Sequence, residues 1–189
     1  MHATAPAIPG LSYVTNYLSL NERVELLAVI DRLPWSGDLK RRVQHYGYRY
    51  DYTRKTIDHD LYLGPLPGWA RTLEKRFLHD GHAPRQLNQL IVNEYLPGQG
   101  IAPHVDCVPC FADTVLSLSL GSSCVLTMSQ RKAEMKLPVL LEQGSLLVMT
   151  GEARYDWLHG IASRKNDRYE GQTLSRGRRV SLTFRTVLR

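Results

Sequence analysis

Thr114-Val115-Leu116-Ser117-Leu118-Ser119-Leu120 alternates large apolar and small polar side chains, the pattern of a β-strand with two unlike faces. The same period of two governs the residues around it. Upstream, Leu90 and Val92 alternate with Ile91, Asn93 and Tyr95, and downstream the period returns in 124–129, 145–150, 157–161 and 180–187. Pro97-Gly98-Gln99-Gly100, Gly121-Ser122-Ser123, Gln143-Gly144 and Gly151-Glu152 separate these runs as turns. Short strands so punctuated predict a β-sandwich or jelly roll.

Helical spacing is confined to the N-terminal part. Ser19-Leu-Asn-Glu22 is a capping box ahead of Val24, Leu27, Ile30 and Leu33, and Trp69, Leu73 and Phe77 follow Pro67-Gly68 with Gly81 as a stop. The expected fold class is therefore mostly β with N-terminal helices (α+β), the helices packed on one sheet of a jelly-roll core. Residues 163–177 are polar, basic and without periodicity, which predicts a long surface loop.

The chain has 189 residues, enough for one sizeable core and one domain, with 1–10 expected as a flexible tail. No apolar run approaches the roughly 18 residues of a membrane span, and 1–10 lacks the basic and apolar regions of a secretory signal. The expectation is a cytoplasmic monomer. Cys107, Cys110 and Cys124 cannot all pair, which predicts reduced thiols and no disulfide. A net charge of +6 favours a polyanionic partner, and Arg164, Lys165, Arg168, Arg176, Arg178, Arg179, Arg185 and Arg189 crowd the C-terminal end.

His104-Val-Asp106 places an imidazole and a carboxylate on one face of an extended segment. Alone, such a pair is ordinarily a turn. His159, in the strand-like run Trp157-Leu-His-Gly-Ile161, supplies a third donor, and two histidines with one carboxylate form the facial triad of non-haem Fe(II) oxygenases. His2, His45, His59, His79 and His82 lack such partners and read as surface or packing residues. Arg179, Ser181, Thr183 and Arg185 share one strand face, while Val180, Leu182 and Phe184 share the other. Two arginines facing inward are costly unless an anion meets them. With Asn93 and Tyr95, also two apart, they would suit a small dicarboxylate beside the metal.

Asn93-Glu-Tyr95-Leu-Pro-Gly98-Gln-Gly-Ile101-Ala-Pro-His104-Val-Asp106, then His159, then Arg179-Val-Ser-Leu-Thr-Phe-Arg185, resembles the ordered signature of the AlkB family over roughly 11–189. The resemblance implies a double-stranded β-helix core, Fe(II) on His104, Asp106 and His159, and O2 as cosubstrate. It also implies 2-oxoglutarate on Asn93, Tyr95, Arg179, Ser181 and Arg185, and oxidation of nucleic-acid bases. Phe111, Leu116-Ser-Leu-Ser-Leu-Gly121-Ser122 and 145–159 are similar to the animal branch that hydroxylates a modified wobble uridine in tRNA. That branch also carries RNA-recognition and methyltransferase domains, for which this chain has no room. Ser181 stands where many repair members have Asn, and Val108 where some place an acidic base-reading residue.

Tyr46, Tyr48, Tyr50 and Tyr52 alternate with other residues behind Lys40-Arg41-Arg42, which predicts four phenols on one face beside basic groups, suited to stacking on a flipped or unpaired base. This region, 38–56, resembles the family's nucleotide-recognition lid, with Arg41, Arg42, Tyr46, Tyr48 and Tyr50 as substrate contacts. Packing of the tyrosines on the first helix is the competing arrangement. The function expected is oxidative dealkylation of alkylated bases in DNA or RNA. Alternatives are hydroxylation of a modified tRNA base, oxidation of a protein side chain, or a basic nucleic-acid-binding module with a vestigial metal site.

Overall fold

The computed structural model describes residues 5–37, 39–54, 56–57, 59–130 and 134–188. His2, the rest of 1–4, and Arg189 lie outside the described residues. Twelve strands and three α-helices follow in the order β1 (Leu11–Val14), α1 (Leu20–Asp31), β2 (Val43–Tyr46), α2 (Gly68–His79), β3 (Gln89–Tyr95), β4 (Ile101–His104), β5 (Phe111–Gly121), β6 (Cys124–Gln130), β7 (Lys136–Leu141), β8 (Leu146–Met149), α3 (Gly151–Tyr155), β9 (Trp157–Ile161), β10 (Asn166–Tyr169), β11 (Gln172–Ser175) and β12 (Arg179–Val187) among the described residues. A six-stranded sheet, ordered β1-β8-β5-β12-β3-β2, faces a four-stranded one, ordered β4-β9-β6-β7, and all pairings are antiparallel. This is the expected jelly roll. No helix among the described residues is long and apolar enough to cross a membrane.

The alternation in β5 explains the layering. Leu116, Leu118 and Leu120 point outward and join Leu90, Val92, Val180, Leu182 and Phe184 against Ile30, Ala70, Leu73 and Phe77 of the two long helices. Burying these faces is what holds the helices, since each apolar side chain removed from water contributes about 1.5–3 kcal/mol. The opposite face of the same strands carries Ser117, Ser119, Ser181 and Thr183, whose small side chains leave open volume between the sheets. Val115, Leu147 and Met149 close the rest of that interior against Leu126, Met128, Val139 and Trp157.

Ser19 caps α1 through the reciprocal Ser19–Glu22 hydrogen bonds of a capping box. Its apolar face is narrower than expected. Val24 is 62% exposed and Ile30 is the buried residue of the helix, because the core lies under its C-terminal end. The segment 5–10, expected as part of a tail, runs against the sandwich: Ile8 is buried and Gly10 accepts a hydrogen bond from Thr150 N.

The basic C-terminal segment and the thiols both differ from expectation. Residues 163–177 contain the hairpin β10–β11, turned at Glu170 and Gly171, both at positive φ, as the tightest hairpin turns require. The period of two was hidden because the hairpin is anchored by a charge. Asp167, 1% exposed, accepts from Arg176 Nε at 2.6 Å and Nη2 at 2.7 Å, from Arg164 Nε at 2.8 Å and from Val125 N of β6 at 2.9 Å. Arg178 likewise pairs with Asp31 and Glu94. Much of the expected basic patch is thus neutralised internally. Cys107 and Cys110, expected as reduced thiols, form a disulfide, and Cys124 is a buried free thiol.

Asp167→Ala would strand Arg176 in the interior, so we expect a loss of about 3–5 kcal/mol and a melting temperature lower by roughly 10 °C, read by thermal denaturation. Although burial opposes its ionisation, the Arg176, Val125 and Arg164 donors hold the Asp167 carboxyl below its ordinary value. A depressed folded pKa contributes stability that is complete above the unfolded value, about 3.9, and is lost as pH falls through the folded one. The wild-type advantage over Asp167→Ala should therefore shrink in acid; a constant gap down to pH 2 would contradict this.

Candidate active site

The register of β4 against β9 sets His104 opposite His159, with ring centroids 4.4 Å apart. Gly160 permits this approach, because a Cβ there would stand 2.9 Å from the Pro103 backbone. Asp106 follows two residues after His104, and the ligand atoms of all three residues lie within 4.8 Å of one another. His104, Asp106 and His159 are arranged to hold a metal ion.

The protonation states suit that task. His104 Nδ1 lies 2.9 Å from the Ala102 carbonyl, which can only accept, so the tautomer that suits this contact carries its proton on Nδ1 and leaves Nε2 as the ligating atom. Burial, with the positive charge of Arg185 and Arg154, pushes His159 down to about 3 against the pull of Asp106, leaving it a neutral imidazole. Burial also opposes ionisation of Asp106, but the Arg185 guanidinium beside it holds its carboxyl well below the usual carboxylate range. Asp106 Oδ1 accepts from Arg185 Nη2 at 2.8 Å. Its Oδ2 is buried without a hydrogen-bond partner, 4.0 Å from His159 Nε2, and a cation between the ligands would satisfy it.

Sequence patterns did not single out Arg154. It is 2% exposed on the short helix α3 and donates from Nη1 to the Asp106 carbonyl at 3.0 Å and from Nη2 to that of Cys107 at 3.4 Å. Together with the Cys107–Cys110 bridge it fixes the loop that carries Asp106. A lone basic residue in a five-residue helix has no periodicity that could have revealed this contact.

A cavity of about 360 Å³ extends from these three residues between the sheets. Asn93, Tyr95, Arg179, Ser181 and Arg185 all line it, as their inward strand positions predict. Arg179, 3% exposed, donates from Nη2 to Ser119 Oγ at 2.9 Å, lies 5.5 Å from the Tyr95 ring centroid and keeps a buried Nε without a partner. Ser181 Oγ lies 3.2 Å from Ser117 Oγ. Arg185 gives Nη1 and Nη2 to Gln89 and Asp106 and stacks 4.8 Å over Phe111, so it also serves Asp106, while its buried Nε keeps no hydrogen-bond partner. Among the described lining residues, Arg179 is the arginine with a buried, unpartnered donor and no acidic partner. A dicarboxylate fits that end, and a metal fits the other.

The expected lid, of which 38 and 55 lie outside the described residues, does not present four phenols on one face. Gly47, at φ 76°, ends the alternation of β2, and a Cβ there would run into the Asn88 carbonyl. Tyr46 packs edge-on against Trp69 of α2 and donates to Gln44. Tyr48 is buried against Tyr62. Arg42 points away from the cavity into Glu94 and lies over Trp35. Tyr50, Tyr52 and Arg41 reach the cavity, Tyr52 being the one the expected substrate set lacked.

A family model described as the 2OG-Fe(II) oxygenase superfamily matches residues 10–185. An Arabidopsis thaliana protein named "Alkylated DNA repair protein ALKBH8 homolog" is 36% identical over 95% of this chain and 59% of its own length. A Macaca fascicularis protein named "tRNA (carboxymethyluridine(34)-5-O)-methyltransferase ALKBH8" is 38% identical over 95% of this chain and 30% of its own length. The chain thus spans between about a third and three fifths of these two relatives. The solved structure of OsALKBH1 superposes with a TM-score of 0.75 at 18% identity, covering 96% of this chain and 99% of that one, a likeness of fold. The match over nearly the whole chain, on a jelly roll with this His-Asp-His cluster, means that the chain belongs to the 2OG-Fe(II) oxygenase superfamily and is related within it to the AlkB homologues.

Proposed function

We propose that the protein is an Fe(II)- and 2-oxoglutarate-dependent dioxygenase that removes alkyl groups from nucleic-acid bases by oxidation. One observation carries the reading: a single cavity has the unpartnered Asp106 Oδ2 beside two imidazoles at one end and Arg179, with its buried unpartnered Nε, at the other. His104, Asp106 and His159 would hold the iron, which with O2 and 2-oxoglutarate supplies the oxidising power for hydroxylating an alkyl carbon, with succinate and CO2 as coproducts. Asn93, Tyr95, Arg179 and Ser181 orient the cosubstrate by donating to its carboxylates. Arg185 holds Asp106 ionised and aimed. Leu126, Leu141, Leu147, Met149 and Ile161 line the cavity and exclude water.

A nucleic-acid substrate is supported by the alkylated-DNA-repair name of the plant relative. Tyr50 and Tyr52, at the same cavity, offer ring faces on which a base can stack. Hydroxylation of a modified tRNA base is the second reading, favoured by the 38% identity to the macaque protein named for tRNA. Incubating the iron-loaded protein with methylated oligonucleotides, etheno-adducted oligonucleotides and total tRNA, followed by mass spectrometry of the nucleosides, separates the two. Loss of the alkyl group with aldehyde release supports dealkylation, a gain of one oxygen on a tRNA base supports hydroxylation, and no base oxidation with sustained succinate formation would sink both.

A further inference from the structure

Arg41 approaches the cavity from the segment before β2, which its sequence suggested as a nucleotide contact. Its nearest partner is on the cosubstrate side. Nε donates to Asn93 Oδ1 at 2.8 Å, and the guanidinium carbon stands 5.6 Å from the Tyr95 ring centroid, the ring that Arg179 approaches to 5.5 Å. Two cations therefore converge on Tyr95. The sole carboxylate among the described lining residues, Asp106, is held by Arg185 at 2.8 Å.

A primary amide has one accepting and one donating end, whereas a guanidinium can only donate. Engagement of Oδ1 by Arg41 thus fixes which way the Asn93 amide is turned and leaves Nδ2, the donor, for a ligand. A carboxylate accepts from Nδ2 and is repelled by Oδ1. Asn93 stands opposite Ser181 in the β3–β12 register and Tyr95 opposite Arg179, so the amide, phenol, hydroxyl and guanidinium are adjacent along two paired strands.

We propose that Arg41 is a positioning residue for 2-oxoglutarate: it locks the Asn93 amide with its donor toward the cosubstrate carboxylate and adds positive charge at that end of the cavity. This rests on the oxygenase reading above. The consequence is a division of labour in the segment that leads into and follows β2, with Arg41 serving the cosubstrate while Tyr50 and Tyr52 face the substrate.

The test is thermal denaturation of the Mn(II)-loaded protein titrated with 2-oxoglutarate, together with the KM values for 2-oxoglutarate and for a methylated oligonucleotide. Arg41→Met keeps the bulk and removes the donors. It should raise the 2-oxoglutarate concentration at half-maximal stabilisation about ten-fold or more, with Mn(II) uptake unchanged, and raise the 2-oxoglutarate KM in parallel while the oligonucleotide KM moves little. Arg41→Lys, which restores a charged donor without the fork, should recover part of the loss. Should Arg41→Met fail to fold, Arg41→Leu, which likewise has no donor, carries the same criteria. A wild-type 2-oxoglutarate midpoint in the variant, or a rise confined to the oligonucleotide KM, would overturn the proposal while leaving the oxygenase reading in place. A wild-type protein that 2-oxoglutarate does not stabilise would overturn both.

Discussion

His104→Ala, Asp106→Ala and His159→Ala should each abolish iron-dependent conversion of 2-oxoglutarate to succinate. Each removes one of three donors whose ligand atoms lie within 4.8 Å of one another, and two protein ligands make too weak a site for Fe(II). The three variants should differ in stability. His104 bonds locally to the Ala102 carbonyl, so its removal leaves the fold nearly untouched. Asp106 partners the 9% exposed Arg185 side chain, so Asp106→Ala strands a buried cation and should melt markedly earlier. Metal analysis and succinate assay on each variant check the assignment. Full turnover by any one of them would mean that the ligand set is wrong.

Arg185→Met should destabilise the metal-free protein by about 3–5 kcal/mol, which lowers the melting temperature by roughly 10 °C in a chain of this size. The reason is the converse one: Asp106, 7% exposed, would remain buried with its nearest cation gone. Adding Mn(II) should return part of the loss, because the ion then faces the same carboxylate. An unchanged melting temperature with weakened 2-oxoglutarate binding would instead place Arg185 on the cosubstrate.

The face assignments were legible in the sequence wherever a strand is long and sided. Leu116, Leu118 and Leu120 against Ser117 and Ser119, and Val180, Leu182 and Phe184 against Arg179, Ser181 and Arg185, are layered as their alternation requires. His104, Asp106 and His159 were legible from their spacing: β4 ends at His104, whose register partner in β9 is His159, and Asp106 follows two residues later. What was hidden depends on contacts distant in sequence or on local breaks in the chain. The alternation of Tyr46, Tyr48, Tyr50 and Tyr52 held only to Gly47, whose positive φ sends the tyrosines to different neighbours. The 163–177 hairpin is held by the buried Asp167 rather than by an apolar face, and Arg154 acts through backbone carbonyls, which carry no sequence signature. Charge counting likewise located arginines without showing that Arg176 and Arg178 are already paired.

A cavity that joins a His-Asp-His iron site to a dicarboxylate site should turn over its cosubstrate without a nucleic acid. The most direct test is reconstitution of the wild-type protein with Fe(II) without oxygen, metal analysis, and then succinate measurement after 2-oxoglutarate and O2 are added in the absence of any nucleic acid. One iron per chain, lost in His104→Ala, is expected, with slow uncoupled succinate formation that requires iron, O2 and Arg179. A protein that binds no iron, or that binds it and never consumes 2-oxoglutarate, would contradict the account.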